Sequence, residues 1–468
     1  MGEIQFYNTR TRSKERFEPI TPGQVGIYTC GPTVYGPPHI GNIRSQLMAD
    51  LLKRFLLSEG FKVTHVINIT DVGHLVSDAD EGDDKMEVAA RKAGQTAEAI
   101  SERYTELWRE DRARVNCLDP EVNPKATDHI AEQIELGRIL EAKGFLYTIE
   151  DGLYFDTSRF ARYAELAGLD LEGQRGAGRI EEVAGKRHPA DFAIWKFAEE
   201  GVHRLQEWDS PWGRGFPGWH LECSAMSSRY LGEHFDIHTG GIDLATVHHT
   251  NEVAQSESAF EVHPWVNFWM HNEFLDFGGE KMSKSVGNVA TLSDLVEQGY
   301  EPLAFRYFFL QAHYRQQQTY NADAMEAAAR GYRRLLGLAA ELRGVEGTGD
   351  PGAQRPYLEQ FRAALCDDLN APRALAVVWD VVRGEALAPE DRRDLLWAFD
   401  SVLGLELESA EEVVEGWESD PRIDDLLVQR EKARSGRDFA TADRIRDELV
   451  AEGVVIVDTP EGPRWKRS

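Results

Sequence analysis

Three groups of residues have the types and spacing to do chemistry. The first is Pro37-Pro-His-Ile-Gly-Asn42, which lies between an apolar segment and an amphipathic one. His39 and Asn42 can donate to phosphate oxygens, Gly41 lets a ligand approach the backbone closely, and the opening N–H groups of a helix attract anions. The second is Lys281-Met-Ser-Lys-Ser285, bounded by Gly278-Gly279 and Gly287-Asn288. Lys281 and Lys284, three apart in a glycine-bounded loop, form a mobile cationic clamp suited to charge developing on a triphosphate. In the third group, His248 and Glu252 share a helix face at i, i+4 spacing. With Cys30 and Cys223 they offer two thiolates, an imidazole and a carboxylate, a set able to hold zinc. Each group also has a plainer reading: an ordinary turn, a solvated basic loop, and a surface His/Glu pair beside two unrelated thiols.

The elements that must position these groups are legible in part. Gly23–Cys30 reads as a buried strand. Ile43, Leu47, Met48, Leu51, Leu52, Phe55 and Leu56 mark an amphipathic helix, and Val63–Thr70 a second strand. Strand, glycine-containing turn, helix and strand make a βαβ unit, which requires a parallel sheet. Further strands are predicted at His234–Thr239 and Val266–Met270, so a long insertion, about Cys117 to Trp212, splits the sheet. The insertion carries a strand-like Gly152–Asp156. It also holds Gly173-Gln-Arg-Gly-Ala-Gly178, which has no strand before it and reads as a surface loop rather than a dinucleotide fingerprint. Helices are predicted at Ala324–Arg343 and Arg392–Leu405. Glu406–Asp425 reads as an acidic linker or exposed turn, followed by a helix over Asp438–Glu452 and a hairpin from Val454 to Trp465.

The chain has 468 residues, 42% hydrophobic and 28% charged, with 80 acids against 52 bases and a net charge of −28. That profile fits folded domains and excludes wholesale disorder. An acidic surplus of this size argues against broad polyanion binding and confines any nucleic-acid contact to restricted faces. Ten acids and one base fall between Asp400 and Asp425, whereas bases reach nine against eight acids from Gln429 onward. No apolar run is long enough to span a bilayer and no secretory signal is evident, so a cytoplasmic location is expected. The four cysteines form no C-x-x-C pair and no disulfide framework is expected.

His-Ile-Gly-Asn followed by Lys-Met-Ser-Lys-Ser resembles the signature pair of class I aminoacyl-tRNA synthetases. Tyr28-Thr-Cys-Gly-Pro-Thr-Val-Tyr-Gly36, Pro217-Gly-Trp-His-Leu-Glu-Cys-Ser224 and Gly240-Gly-Ile-Asp-Leu244 narrow the resemblance to the cysteinyl-tRNA synthetase family. It extends through Arg187–Lys196 and the final Arg430–Trp465 segment. The resemblance implies an α/β fold with a Rossmann-type parallel-sheet catalytic domain in two halves, 1–116 and 213–300, split by the connective insertion 117–212. A helical stem domain (301–405) and an anticodon-binding region with a small terminal β-hairpin (406–468) follow.

The resemblance further implies ATP-dependent activation of L-cysteine, with Mg²⁺, to cysteinyl-AMP and transfer to tRNA(Cys). Cys30, Cys223, His248 and Glu252 would hold one zinc ion. Thr70 and Trp219 would line the amino-acid pocket, and Asp243 would contact the adenosine or the amino group. His39, Gly41, Asn42 and Lys284 would handle ATP, with Lys281 assisting. Arg464, Trp465, Lys466 and Arg467 combine cations with an aromatic platform suited to unstacked RNA bases. Zinc gives a reason for selectivity: sterics alone separate near-isosteres such as cysteine and serine by only about 10²-fold, whereas a soft thiolate suits zinc better than a hydroxyl.

Two departures and two rivals stand out. The usual Phe-Pro-His-His-Glu-Asn-Glu is here Thr246-Val-His-His-Thr-Asn-Glu252, and the stretch after Asp71 is expanded into an acidic insert over 72–85. A cysteine:amino-sugar ligase of mycothiol synthesis would share the ATP loops and zinc ligands but lack the anticodon-binding end. A catalytically silent tRNA-binding relative would have lost His39, the lysines or the metal set. A monomer with no membrane contact is expected.

Overall fold

The computed structural model describes residues 3–73, 85–163, 165–166, 168, 185–198, 204–277, 291–409, 420–435, 438–459 and 462–467. Lys281 and Lys284, the Gly173–Gly178 loop and most of the 72–85 insert lie outside the described residues. So do the side chains of Arg464, Lys466 and Arg467. The chain divides into two compact units, Met1–Glu408 and Ser409–Ser468.

The first unit is built on a four-stranded parallel sheet. Strand β1 (Gln24–Thr29) leads through helix α1 (Ile40–Ser58) to β2 (Lys62–Ile67). After the insertion, helix α2 (Trp219–Leu231) leads to β3 (Phe235–Gly241), and α3 (His248–Phe260) to β4 (Val266–Asn272). The order across the sheet is β4-β3-β1-β2, with Ile27 opposite both His65 and Ile237. Neighbours on either side of β1 are thus reached in opposite directions, which opens a crevice at the carboxyl ends of β1 and β3. The predicted strands fall within three residues of these bounds at every end.

The insertion forms a four-stranded antiparallel sheet: Leu146–Ile149, Gly152–Phe155, Phe192–Phe197 and Gly215–Pro217. Its last strand lies beyond the expected boundary at 212, because Gly215–Pro217 pairs with Trp195–Phe197. Its apolar residues, among them Leu136, Phe155 and Trp195, share one core with Tyr28, Val66 and Trp269 of the parallel sheet. Helices Lys85–Ala93 and Ala97–Arg114 were not legible in the sequence. Their inward faces mix Met86, Ile100 and Trp108 with Ser101, Thr105, Asp111 and Arg112, which breaks the apolar period.

Helix α1 is amphipathic as expected, yet its polar side is buried too. Asp50 Oδ2 accepts from Arg54 Nε at 2.8 Å and from Arg306 Nη2 at 2.5 Å, and Asp50 Oδ1 accepts from Leu118 N at 2.7 Å. Arg306, on helix Pro302–Leu310, also donates to Val115, Asn116 and Leu403 carbonyls. Burial alone would raise the Asp50 pKa, but the two guanidiniums outweigh it and hold the carboxylate below its usual range. This cluster ties α1 to the helical region, where Ala322–Arg343, Pro351–Cys366, Ala371–Arg383 and Pro389–Leu403 follow one another.

The second unit packs helices Pro421–Ser435 and Phe439–Ala451 with a hairpin, Val454–Thr459 and Gly462–Arg467. Two expectations need correction here. Pro421–Asp425 is not linker but the first turn of a helix, with proline where its missing N–H costs nothing. Trp465 is 2% exposed, packed with Ile423, Leu427, Ile445 and Leu449, and its Nε1–H donates to Asp424 Oδ1 at 2.7 Å. It closes the core of the unit, so its ring is not a platform for RNA bases.

Replacing Asp50 with alanine leaves two guanidiniums buried without their counter-charge. Such a variant is expected to lose about 3–5 kcal/mol of stability, read as a lowered urea midpoint. A midpoint within error of the parent would show that Asp50 does not hold the two regions together.

Candidate functional site

A cleft of about 590 Å³ opens at the crevice between β1 and β3. Cys30, His39, Gly41, Asn42, Thr70, Trp219, Cys223, Asp243 and His248 all line it. Of the remaining predicted site residues, Glu252 is wholly buried beside His248.

The floor depends on close backbone contact. The chain leaves β1 through Gly31, where a Cβ would stand 1.5 Å from the Asn68 carbonyl oxygen. Asn68 Oδ1 accepts from Gly31 N at 2.9 Å, and Asn68 Nδ2 donates to Thr70 Oγ1 at 2.9 Å. One amide therefore fixes both the exit from β1 and the rotamer of Thr70. Beneath it, Thr29 Oγ1 lies 2.7 Å from Thr239 Oγ1 and 2.8 Å from His65 Nε2, a polar contact that spans three strands.

At the start of α1, His39 and Asn42 form a reciprocal cap. Asn42 N donates to His39 Nδ1 and His39 N to Asn42 Oδ1, both at 3.2 Å. Because Nδ1 accepts, the neutral ring carries its proton on Nε2. The first turn of α1 holds no acid, so no carboxylate there offsets its positive dipole end.

The third group gathers where α3 meets the end of β1 and the start of α2. His248 Nε2 and Glu252 Oε1 lie 2.8 Å apart, out of hydrogen-bond alignment, while Glu252 Oε2 lies 2.9 Å from His238 Nε2. Ligand atoms of Cys30, His248, His249 and Glu252 all fall within 4.8 Å of one another. Cys223 is joined to this set through its contacts with Cys30 and His248. His249 Nε2 lies 3.2 Å from Cys30 Sγ, and its Nδ1 lies 2.7 Å from His271 Nε2. Against the outer side of His248, His220 Nδ1 sits 3.0 Å from its Nδ1 and the Trp219 ring 4.3 Å from its ring. Thr250 turns its hydroxyl back to the Ala245 carbonyl at 2.8 Å. His238, His249, His220 and Asn68 were not singled out in the sequence. The adjacent pair His248-His249 was the one signal available.

Charge in this pocket is set by competition. Burial, then Cys223, pushes the Cys30 thiol up. A hydrogen bond from Cys30 outweighs burial at Cys223 and brings it down to about 7. Burial would lower His248, but Glu252 and Cys223 raise it to about 10. At Glu252, burial is overcome by His248 and His238, which hold it below the usual carboxylate range. Burial and the surrounding imidazoles keep His249 neutral. The described cysteines are all free.

A split parallel sheet with a capped helix at its switch point is the architecture of class I aminoacyl-tRNA synthetases. Solved structures agree on the fold. One is a LeuRS of Agrobacterium radiobacter in a ternary complex with tRNA and LeuAMS (TM-score 0.59, 13% identity, 84% of this chain and 86% of that one). Another is the methionyl-tRNA synthetase of Mycobacterium tuberculosis bound by methionyl-adenylate (TM-score 0.54, 17% identity, 82% and 90%). Residues 16–330 match the family described as tRNA synthetases class I (C) catalytic domain, 360–384 a DALR domain, and 418–465 the cysteinyl-tRNA ligase anticodon binding domain. The chain is 48% identical over 463 residues to Cysteine--tRNA ligase 1 of Burkholderia lata, covering 98% of this chain and 96% of the relative. It is 43% identical over 485 residues to Cysteine--tRNA ligase of Thermus thermophilus, covering 100% and 99%. The chain belongs to the cysteine–tRNA ligase family.

Gly31→Ala tests the floor. The added methyl meets backbone rather than a flexible side chain, so β1 must part from Asn68. The variant is expected to lose well over 2 kcal/mol of stability or fail to fold, read by thermal melting, and an unchanged melt would refute the close approach.

Proposed function

We propose that the chain activates L-cysteine with ATP to cysteinyl-AMP and transfers the cysteinyl group to tRNA(Cys). The observation that carries this reading is the single cleft lined both by the capped start of α1 and by the Cys30, Cys223 and His248 side chains. One end suits a polyphosphate and the other a thiol.

In the activation step the cysteine carboxylate attacks the α-phosphorus of ATP and pyrophosphate leaves. The start of α1, with the Nε2–H of His39 and the side-chain amide of Asn42, holds the phosphate oxygens, and Mg²⁺ would accompany the triphosphate. Lys284, assisted by Lys281, neutralises charge developing on the departing pyrophosphate. Thr70 and Trp219 flank the amino acid, and Asp243 faces its amino group or the adenosine.

Cys30, Cys223, His248 and Glu252 would hold zinc, and their chemistry fits it: two sulfurs, an imidazole nitrogen and a carboxylate. The nonaligned 2.8 Å approach of His248 Nε2 and Glu252 Oε1 suits two atoms that share one ion. Bound there, zinc supplies a soft Lewis acid that favours the sulfur of cysteine over the hydroxyl of serine. His249 and His238 orient Cys30 and Glu252, as outer partners of metal ligands do.

The C-terminal match to an anticodon-binding domain favours this reading over the amino-sugar ligase. Cysteine-dependent ATP–pyrophosphate exchange separates an active enzyme from a silent relative, and charging of tRNA(Cys) separates the two enzymes. Exchange without charging would overturn the proposal.

Cys223→Ala is expected to retain less than a tenth of the zinc of the parent by elemental analysis. Its preference for cysteine over serine in exchange falls to 10²-fold or less, the limit of sterics. A metal-free sample that still rejected serine would sink the zinc assignment. Lys284→Ala is expected to slow exchange by about 10²–10³-fold while changing the KM for cysteine by less than about threefold. An equal loss in cysteine binding would count against its role on the leaving group.

A further inference from the structure

Asn68 follows the last residue of β2, is 1% exposed, and lines the main cleft together with Cys30, Gly31 and Thr70. Its amide has only one workable orientation. Gly31 N–H can only donate, so the amide oxygen must face it, at 2.9 Å, and the NH2 group is left for Thr70 Oγ1, also at 2.9 Å. A hydroxyl that accepts on that side turns its own proton away from Asn68.

The backbone on both sides of this amide is held in place. Thr70 N donates to the Pro32 carbonyl at 3.0 Å and Val34 N to the Thr70 carbonyl at 3.3 Å, so the segment leaving β1 runs beside the segment leaving β2. From behind, Ile69 N donates to the Pro124 carbonyl at 2.8 Å and Ala126 N to the Ile69 carbonyl at 3.0 Å. Asp71 accepts from Thr127 N at 2.9 Å and from Thr127 Oγ1 at 2.6 Å. Thr70 thus lies between two neighbours whose positions are fixed.

Cys30 directly precedes Gly31, so a single planar amide joins the strand end that carries the thiol to the hydroxyl across from it. A ligand that places its sulfur near Cys30 and its polar head near Thr70 meets that separation as a limit on its length. One methylene in a fitted pocket is worth about 10–200-fold in discrimination. An amide anchored at both ends is stiff enough to enforce such a limit, whereas a single-ended side chain would let Thr70 turn.

We propose that Asn68 is a specificity-determining positioning residue: by fixing Thr70 relative to Cys30 it sets the length of amino acid that the cleft accepts. This rests on the reading that the cleft activates cysteine. The test is ATP–pyrophosphate exchange with L-cysteine and with L-homocysteine, which is one methylene longer. The parent is expected to prefer cysteine by at least about tenfold in kcat/KM. Asn68→Asp keeps the acceptor for Gly31 N and replaces only the donor to Thr70. It should narrow the preference at least about fivefold, through a higher KM for cysteine, with the KM for ATP within about twofold and the zinc content by elemental analysis unchanged. Thr70→Val should narrow it similarly, and the double variant no further than about twofold beyond Thr70→Val, because the two residues act as one unit. Should Asn68→Asp fail to fold by circular dichroism, Asn68→Ala takes its place with the same expectations; failure of both to fold would make the amide purely structural and overturn the proposal. An unchanged preference, a parallel rise in both KM values, loss of zinc or additive effects in the double variant would also overturn it. A parent that exchanges with neither amino acid would overturn the proposed function itself, whereas an active parent with an unaffected variant removes only the role of Asn68.

Discussion

The structure depends on the parallel pairing of β1 with β3, strands brought together from opposite sides of the insertion. Thr29 and Thr239, 210 residues apart, meet through their hydroxyls, and His65 closes the same contact from β2. Every feature of the main cleft follows from that alignment. It places Cys30 and Gly240 side by side at the strand ends, lets the start of α1 face the crevice, and presents α3 from the far side. A register slip of one residue would turn the β1 side chains to the opposite face and disperse the site.

The buried polar cluster beneath the cleft is unusual for the density of its imidazoles. His220, His238, His248, His249 and His271 are all buried, and each contacts at least one other ring. Water cannot screen them there, so their protonation is decided by geometry. His248, facing two anionic partners, is driven up, whereas His249, facing other imidazoles, is driven down. Two adjacent residues on one helix are thus pushed in opposite directions because they face different partners.

Much of this was legible in the sequence. The four parallel strands were readable because fully buried strands are short apolar runs, and the gathering of Cys30, His39, Gly41, Asn42 and Cys223 at one cleft because their motifs follow strand ends and open helices. What was not legible has a common physical origin. Asp50 and Arg54 look like a solvent-facing pair on α1 until the fold brings Arg306 to them from a distant segment. The 85–114 helices bury polar groups, which erases their apolar stripe. Trp465 sits beside three cations in sequence and reads as an exposed ring, but only the packing of the second unit decides which way it faces. Histidines such as His238 carry no local pattern at all; their role exists only through Glu252.

The interruption between β2 and β3 has a consequence for synthesis. The centre of the sheet cannot assemble until β3 has been made, by which point about half of the polypeptide exists. Until then β1 carries an open edge on the side that β3 will cover, with Ile27 and Tyr28 bare to the surroundings. Non-local pairing of this kind forms slowly, and unpaired strand edges invite association between chains. The nascent protein must therefore survive a long interval as a half-sheet, and growth of the insertion is what prolongs it.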